Sequence, residues 1–539
     1  MNNILLVHFK RFGDLVSTSQ LVAGIKSQYP HTDISLVCFD EFSSVAKLIP
    51  GLKKVYTINR ESLLTLTKGQ LYSTGFAIDE LRKKVLVLSK ESWDKVINLS
   101  NDRASSHFCS WLSTSNPQIK VKGIRIDQHN LAVASDFWAL TYNDILTRST
   151  TNSPFNFRDI WSRMVGVEET EKNCLLTNQR NEDTVSRNFN KIREVQGKIV
   201  GIQVHCSVDD KGFSDEFSAE ICDQLSVKSF VPVLIIAPND VERGRAKTIA
   251  DTCLTRPIIV ECDFTALSSV VKNLDALITP DTVTKHFADA WNTPCLEISL
   301  GSSPTFKQAT LNPKSLLIIP TDRKLASVNI SDVMNALNLL FNPNPNSYVE
   351  SNACNIYSPV RLSSQTVYQS RSTKRNDKVE LDRHASVVLL NKIANINDTN
   401  EKEIRTIALT DIYDNKRAKQ WFADVEETVT AQTRDVLHAI RSLLQMKENP
   451  KKSSAFIESL DRLLSFTEQL NTATISAVIF RSKLESLPPT TFADNARSLE
   501  ALLFEYKANL QSCLNLVQSW EVELNNSRKE NRSQRQQSI

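Results

Sequence analysis

A carboxylate follows the first apolar run of the chain, where a strand would give way to a helix. Ile4–Phe9 is apolar and strand-like, and Gly13 and Asp14 follow it after Lys10 and Arg11. Gly13 allows a tight turn, and the Asp14 carboxylate can either cap the helix or face a ligand and accept a proton. Taken alone, this segment favours the cap, because aspartate is common at a helix start.

A second polar segment follows the apolar run that ends at Val204. It reads His-Cys-Ser-Val-Asp-Asp-Lys-Gly-Phe over residues 205–213 and offers the Ser207 hydroxyl and the Lys211 ammonium. Hydroxyl and backbone donors beside a point positive charge suit a diphosphate. An ordinary polar loop between a strand and a helix fits the same residues equally well.

A third segment opens a predicted helix with the run Asp281-Thr282-Val283-Thr284. Free backbone N–H groups and the positive end of the helix dipole make such a start an anion site in principle. The competing interpretation is a capped helix with His286 hydrogen-bonded in the interior. We interpret His286 as structural, because a histidine inside a helix needs only one partner.

Two successive rounds of strand and helix must position these segments. Val, Ile and Leu runs alternate with helical patterns over the first 160 residues, and the alternation restarts at Lys198 after a polar connection at 175–197. Such runs indicate parallel sheets covered on both faces. We therefore predict an α/β fold of two doubly wound domains, with ligands in a cleft at the carboxyl ends of the strands. The predicted strands are Ile4–Phe9, Ile34–Phe39, Lys54–Ile58, Lys95–Leu99, Lys198–Val204, Val231–Ala237, Pro257–Glu261, Ala276–Ile278 and Cys295–Leu300.

The composition changes after residue 340. Residues 341–400 are rich in Asn, Ser, Pro, Thr and charge, which predicts a mostly extended polar linker. Residues 401–527 carry three helical patterns and predict an all-α bundle, and 528–539 predict a disordered tail. The third pattern is a heptad seam, which we expect to be bundle core, with self-association or partner docking as its second use. The seam is formed by Leu499, Leu503, Tyr506, Leu510, Cys513, Val517, Trp520 and Leu524.

Charge and hydropathy exclude several classes of protein. The 539 residues include 64 Lys or Arg and 61 Asp or Glu, and this balance of +3 argues against nucleic acid as a partner. The N-terminus lacks signal-peptide features, and no stretch is apolar enough to span a membrane, so we predict a cytoplasmic protein. Ten dispersed cysteines without a CxxC pair are expected to be reduced. The basic residues of the tail would allow weak peripheral contact with the inner face of an anionic membrane.

Together, the three polar segments resemble those of the family-9 glycosyltransferases, whose best-known members are the ADP-heptose:lipopolysaccharide heptosyltransferases. Residues 4–16 are similar to that family's first strand and Gly-Asp turn. Residues 201–213 are similar to its second-domain strand and phosphate loop, with Phe213 where tryptophan is usual. Asp281-Thr282 and His286 look like its Asp-Thr-Gly-x-x-His-x-x-Ala signature, the most specific of the three.

The resemblance runs along roughly residues 1–340 and implies a GT-B fold with inverting transfer from a nucleotide-sugar. Asp14 matches the family's general base, and Glu242 falls where the family places an acidic residue on the nucleoside. A lysine and a helix N-terminus can stabilise a leaving diphosphate without metal. No Asp-x-Asp occurs in this part of the chain, so we predict a metal-independent reaction with neither metal ligands nor a cofactor. The implied donor-binding residues are Ser207, Lys211, Glu242, Asp281, Thr282, Val283 and Thr284.

The sequence departs from the family pattern at two places. Val283 stands where the family has glycine, and its branched side chain could crowd a phosphate or resist the backbone conformation that glycine permits. Lys10 and Arg11 replace a small hydroxylic pair before the Gly-Asp turn. They either bind an anionic acceptor or are simply surface cations.

We therefore predict a glycosyltransferase that moves heptose from ADP-heptose to a lipopolysaccharide-core or other glycan acceptor. The enzymatic alternative is a protein acceptor, which the appended helices make more plausible. The non-catalytic alternative is an inactive GT-B scaffold, supported by Val283 and by the presence of only 12 glycines. The predicted parts are an acceptor-side domain (1–175), a nucleotide-sugar domain (196–340), the linker (341–400), the bundle (401–527) and the tail (528–539).

Overall fold

The computed structural model describes residues 2–67, 73–148, 152–168, 174–344, 347–363, 365–396, 400–410 and 412–537. The chain divides into two compact units. The first, here called the α/β unit, comprises Met1–Arg125 and Asn156–Lys374, and the second, the helical unit, comprises Ile126–Phe155 and Arg375–Ile539. The segment 126–155 therefore groups with the C-terminal helices and not with the predicted domain 1–175.

The first sheet of the α/β unit is parallel and five-stranded, in the order β3-β2-β1-β4-β5. Its middle strand, β1, is buried from Ile4 to His8, because it has a neighbour on each edge and helices over the sheet. The strands are β1 (Asn3–His8), β2 (Asp33–Phe39), β3 (Leu52–Ile58), β4 (Lys95–Asn98) and β5 (Lys120–Lys122). The helices among them are α1 (Phe12–Gln28), α2 (Ser43–Ala46), α3 (Arg60–Thr67), α4 (Ser73–Leu88) and α5 (Arg103–Ser115).

Several elements lie between the two sheets along the chain, some of them in the helical unit. They are β6 (Ile124–Ile126), β7 (Ala132–Ala134), α6 (Phe137–Leu140), α7 (Leu146–Arg148), α8 (Phe157–Val165) and α9 (Gln179–Gln196). Helix α9 occupies most of the stretch that we interpreted as a polar connection. That interpretation is wrong. The helix was missed because it buries only Phe189, so its sequence shows no apolar stripe.

The second sheet of the α/β unit has eight strands in the order β10-β9-β8-β11-β12-β13-β14-β15. The first six in this order are parallel, and the last two form an antiparallel hairpin. The strands are β8 (Ile199–Gln203), β9 (Val231–Ile236), β10 (Ile258–Glu261), β11 (Ala276–Pro280), β12 (Cys295–Ile298), β13 (Leu316–Pro320), β14 (Cys354–Leu362) and β15 (Gln365–Ser370). The helices are α10 (Asp215–Val227), α11 (Asp240–Thr252), α12 (Phe264–Lys272), α13 (Val283–Trp291), α14 (Thr305–Gln308) and α15 (Ile330–Phe341). Two doubly wound sheets confirm the predicted α/β class.

The predicted linker, 341–400, is wrong as a description of this segment. Strands β14 and β15 extend the second sheet, and α16 (Asp377–Ile393) is a largely buried helix of the helical unit. Composition misleads here because the polar side chains are paired inside. Arg383, for example, is 2% exposed and forms an ion pair with Glu380 at 2.8 Å.

The remaining helices of the helical unit confirm the all-α class of the C-terminal part. They are α17 (Glu401–Leu409), α18 (Asn415–Glu448), α19 (Ser453–Ser465), α20 (Ile475–Glu485) and α21 (Phe492–Gln537). Seven of the eight seam positions on α21, from Leu503 to Leu524, are buried, so the seam is bundle core. Self-association would need another surface and stays a prediction.

The predictions for the C-terminal tail, for membrane-spanning segments and for the cysteines can be compared with the structure. Helix α21 continues to Gln537, so the predicted disordered tail is wrong for 528–537, and 538–539 lie outside the described residues. The helix continues because residues 492–537 contain neither glycine nor proline. Within the described ranges, no helix is both long and apolar enough to cross a membrane. All ten cysteines are free thiols, eight of them buried.

Candidate active site

The three polar segments singled out from the sequence follow the carboxyl ends of three central strands. Asp14 comes after β1, Lys211 after β8, and Asp281 after β11. Strand β1 is the middle strand of the first sheet, and β8 and β11 pair with each other in the second. In open parallel sheets this edge is where ligands bind.

Asp14 lies in the first turn of α1 and does not cap it. Arg11 occupies the cap position, and no side chain makes a capping hydrogen bond there. The Asp14 carboxylate is 7% exposed, and its Oδ1 accepts a hydrogen bond from Nε2 of Gln308 at 3.1 Å. The capping interpretation is therefore wrong. The buried carboxylate instead contacts a residue of α14, on the side of the second sheet.

The charges around Asp14 set its proton affinity. Burial raises the pKa of the Asp14 carboxyl above its ordinary value, and the charge of Asp281 acts in the same direction. Lys10, Arg11 and Lys307 act in the opposite direction. Burial favours the protonated carboxyl, and the nearby cations favour the ionised one. Because these effects oppose each other, the Asp14 carboxylate can be ionised and still accept a proton.

Asp281 belongs to a buried network of alternating charge. Its Oδ2 is 3.1 Å from Nζ of Lys211, and its Oδ1 is 2.5 Å from Nζ of Lys285. Lys285 also reaches Oε1 of Glu297 at 2.9 Å. Burial acts to raise the pKa of Asp281, but Lys285 and Lys211 outweigh it, so the pKa is lowered and Asp281 is ionised. The structure thus joins the second and third segments.

The start of α13 leaves its first amides without a side-chain cap. Thr282 is at the cap position, but its hydroxyl pairs with that of Thr279 at 2.9 Å. Val283 is the first helical residue and is absent from the residues with positive φ, so it carries no strain that glycine would relieve. Thr284 is buried, and its hydroxyl donates a hydrogen bond to the Gln203 side chain at 3.0 Å. The Thr284 side chain is therefore not available to bind a nucleotide-sugar.

The remaining predicted site residues lie around this centre. Ser207 is exposed in the loop after β8, and Arg11 is exposed before α1. Glu242 is 6% exposed, and its oxygens accept hydrogen bonds from the backbone of Ala237 at 2.8 Å and from the Asn239 side chain at 3.1 Å. Glu242 therefore braces the loop between β9 and α11, and contact with a nucleoside stays a prediction.

His286 joins α13 to α1. Its Nδ1 lies 2.9 Å from the hydroxyl of Ser17, and its ring packs on Gly13. Burial lowers the pKa of His286 well below its ordinary value, so the ring is neutral. These contacts support the structural interpretation of this residue.

Gly13 is required here by close approach. A Cβ atom at this position would lie 2.5 Å from Cδ2 of His286. We expect Gly13→Ala to lower the free energy of unfolding by about 1–3 kcal/mol, the usual cost of overpacking. The same change in a His286→Ala background should cost much less, because the obstructing ring is gone. Equal losses in both backgrounds, measured by thermal denaturation, would contradict this contact.

Sequence reasoning missed four residues of the site. Lys285 and Glu297 complete the buried network, and Lys307 and Gln308 bring α14 to Asp14. Lys285 could have been found, because it lies four residues after Asp281 on a helix, the spacing at which opposite charges pair. The other three have no local signal.

Comparisons with known proteins find similarity to one family of glycosyltransferases. Residues 87–335 match the model of glycosyltransferase family 9 (heptosyltransferase). The chain is 18% identical over 289 residues to lipopolysaccharide heptosyltransferase 3 of Escherichia coli, an alignment that covers 53% of this chain and 80% of that relative.

Solved structures similar to this chain include two proteins of this kind. A glycosyltransferase family 9 structure from Veillonella parvula has 15% identity and a TM-score of 0.49, covering 64% of this chain and 98% of that one. The E. coli heptosyltransferase WaaC with ADP has 14% identity and a TM-score of 0.45, covering 63% of this chain and 99% of that one.

The family match covers two of the three site motifs. Lys211 and the Asp281-Thr282 signature lie inside the matched residues 87–335, and Asp14 precedes them. Two doubly wound sheets are the architecture expected of a GT-B fold. The part of the chain that carries two of the three site motifs therefore matches glycosyltransferase family 9, and the chain is similar to the heptosyltransferases of that family.

Proposed function

We propose that the protein transfers heptose, with inversion, from ADP-heptose to a lipopolysaccharide-core or other glycan acceptor. The observation that carries the proposal is the meeting of two kinds of group at one edge of the sheets. Asp14 can accept a proton, and Lys211 with the start of α13 can bind a diphosphate. The charge of Asp281, which pairs with Lys211, also raises the pKa of Asp14, which links the two groups electrostatically.

The proposed reaction is a single displacement. The acceptor hydroxyl attacks the anomeric carbon while its proton passes to the Asp14 carboxylate. The bond between the anomeric carbon and the phosphate oxygen breaks, and ADP leaves with the bonding electrons. Attack on the face opposite the leaving group inverts the configuration.

Lys211 has a second partner in this proposal. Without a donor, its ammonium pairs with Asp281 at 3.1 Å, and both side chains are less than a tenth exposed. A bound diphosphate offers stronger acceptors, so Lys211 would share its donors between Asp281 and the phosphate. This charge, with the N-terminal amides of α13, would take the place of a metal at the leaving group. We therefore extend the proposal to a reaction that needs no divalent ion.

The acceptor side of the proposed site is positively charged. Lys10 and Arg11 precede Asp14 in the chain, and the charge of Lys307 on α14 lowers the pKa of Asp14 as theirs do. We propose that Lys10 and Arg11 bind the acceptor and that the acceptor carries an anionic group near the attacking hydroxyl. The rival hypothesis of an inactive scaffold loses its conformational argument, because Val283 is helical and has no positive φ. That the Val283 side chain crowds a phosphate stays a prediction.

A thermal-shift screen tests the proposal. Purified full-length protein would be heated with ADP, UDP, GDP and CMP compounds, in EDTA and in Mg²⁺. A ligand at about 100 times its Kd stabilises the fold by about 2.7 kcal/mol. We expect a shift with ADP and ADP-heptose, equal in EDTA and Mg²⁺, that is lost in Lys211→Met. Lys83→Met, which removes an exposed ion pair with Glu80, is the matched control and should keep the shift.

Two outcomes would contradict the donor assignment. The absence of a shift with every nucleotide would favour the scaffold hypothesis. A shift that survives in Lys211→Met would place the diphosphate elsewhere.

A further inference from the structure

Gln308 makes the hydrogen bond that the Asp14 carboxylate accepts. Its Nε2 donates to Oδ1 of Asp14 at 3.1 Å, across 294 positions of sequence. Within the described residues, the carboxylate accepts no other hydrogen bond. The second oxygen, Oδ2, is therefore the one left for a substrate hydroxyl.

The short helix that carries Gln308 is fixed by its surroundings. Just after it, the Ala309 carbonyl accepts hydrogen bonds from Nδ2 of Asn156 at 3.0 Å and from the Tyr368 hydroxyl at 3.3 Å. At its start, the Thr305 hydroxyl accepts one from Nη1 of Arg323 at 2.7 Å. Tyr368 belongs to β15, in the segment where a linker was predicted. The hairpin thus supports the helix that reaches Asp14.

We propose that Gln308 is a positioning residue for Asp14. Its amide holds Oδ1 in place, and so presents Oδ2 to the acceptor hydroxyl and favours the ionised carboxylate. This inference rests on the proposed function only for the role of Asp14 as the base. The contact between the two side chains stands without it.

The other charged groups that face Asp14 come from three places. Lys10 and Arg11 precede it in the chain, Lys307 lies on α14, and Asp281 lies just before α13; the charge of each acts on the pKa of Asp14. The three cations favour the ionised carboxylate, and Asp281 opposes it. Lys307 adjoins Gln308, so variants of Gln308 must leave Lys307 unchanged.

The proton affinity of Asp14 can be read from stability without any substrate. Because burial raises the pKa of Asp14 in the folded protein, the folded chain holds this proton more tightly than the unfolded chain. The stabilisation is present at low pH and is lost as the pH rises through the folded pKa. Asp14→Asn should therefore have a higher Tm than the wild type at high pH, and this gain should vanish at low pH. The gain develops between the unfolded and the folded pKa of Asp14, so its midpoint moves with the folded pKa.

Variants of Gln308 should move this midpoint in opposite directions. Gln308→Leu keeps the approximate size but removes the donor. We expect the folded pKa of Asp14 to rise by on the order of one pH unit and the midpoint by about half of that. Gln308→Lys keeps a donor and adds a positive charge, so the midpoint should fall. Gln179→Leu is the matched control, because Gln179 donates to the exposed Asp183 on α9. It should leave the midpoint unchanged.

The result separates this inference from the proposed function. An unchanged midpoint in both Gln308 variants would overturn the positioning role. If Asp14 is the base, Gln308→Leu should also lower kcat with ADP-heptose, move the acid limb of the rate profile to higher pH and leave the donor KM unchanged. A moved midpoint together with full turnover by Asp14→Asn would refute Asp14 as the base while leaving its contact with Gln308 intact.

Discussion

Replacing Asp14 with asparagine should lower the rate of sugar transfer about 10²–10⁴-fold, the usual contribution of a general base. Asparagine keeps the size of the side chain but has no carboxylate to accept the acceptor's proton. ADP binding should persist, because Lys211 and the start of α13 are unchanged. The measurement is kcat with ADP-heptose at saturating acceptor, together with the thermal shift produced by ADP.

An aspartate of the first sheet with an exposed side chain provides the control for this experiment. Asp33 starts β2 and forms an exposed ion pair with Lys53 at 2.6 Å. Asp33→Asn should turn over at the wild-type rate. Wild-type turnover by Asp14→Asn as well would show that another group takes the proton.

Replacing Lys285 with methionine should cost about 3–5 kcal/mol of stability, the usual result of removing one partner of a buried ion pair. Lys285 is 1% exposed and pairs with both Asp281 and Glu297. Burial acts to lower the pKa of Lys285, but these two carboxylates raise it, so the ammonium is charged. Without it, two carboxylates remain close together in the interior. Thermal or urea denaturation of the full chain measures the loss.

The second carboxylate of the network offers a test of this explanation. Adding Glu297→Gln to Lys285→Met removes one uncompensated charge and should recover part of the lost stability. Lys83→Met, which breaks an exposed pair, should cost no more than about 1 kcal/mol. A loss for Lys285→Met as small as that of Lys83→Met would show that the network contributes little.

The doubly wound sheets were predictable because their signal is local. Strands such as Val231–Ile236 are buried at every position and read as continuous apolar runs. The heptad seam of α21 was predictable for the same reason, since its spacing repeats along one helix. Both patterns depend only on near neighbours in the sequence.

The elements that the sequence analysis did not predict bury either polar side chains or almost no side chains. Helix α9 buries one side chain, and α16 buries Asp377, Glu380 and Arg383 among its apolar residues. A prediction from composition assigns such segments to the solvent-exposed surface, because composition does not show which charges are paired. The strands of the hairpin, β14 and β15, were not predicted for the same reason.

The site was predictable up to the point where it depends on distant partners. Asp14, Lys211 and Asp281 were identified from the loops that hold them, and the pairing of Lys211 with Asp281 follows from neighbouring strands. The contacts of Gln308 with Asp14 and of His286 with Gly13 join residues far apart in the chain. Nothing local in the sequence specifies such pairs.

The most direct test of the central claim is to follow sugar transfer itself by mass spectrometry. Wild-type protein would be incubated with ADP-heptose in EDTA, with heptose-deficient lipopolysaccharide as one acceptor and a protein extract as the other. We predict that the lipopolysaccharide gains one heptosyl unit for each ADP released and that the protein extract gains none. Heptose on the proteins alone would make the acceptor a protein. No transfer to either acceptor, with no stabilisation by ADP, would contradict the assignment of this chain as an active transferase.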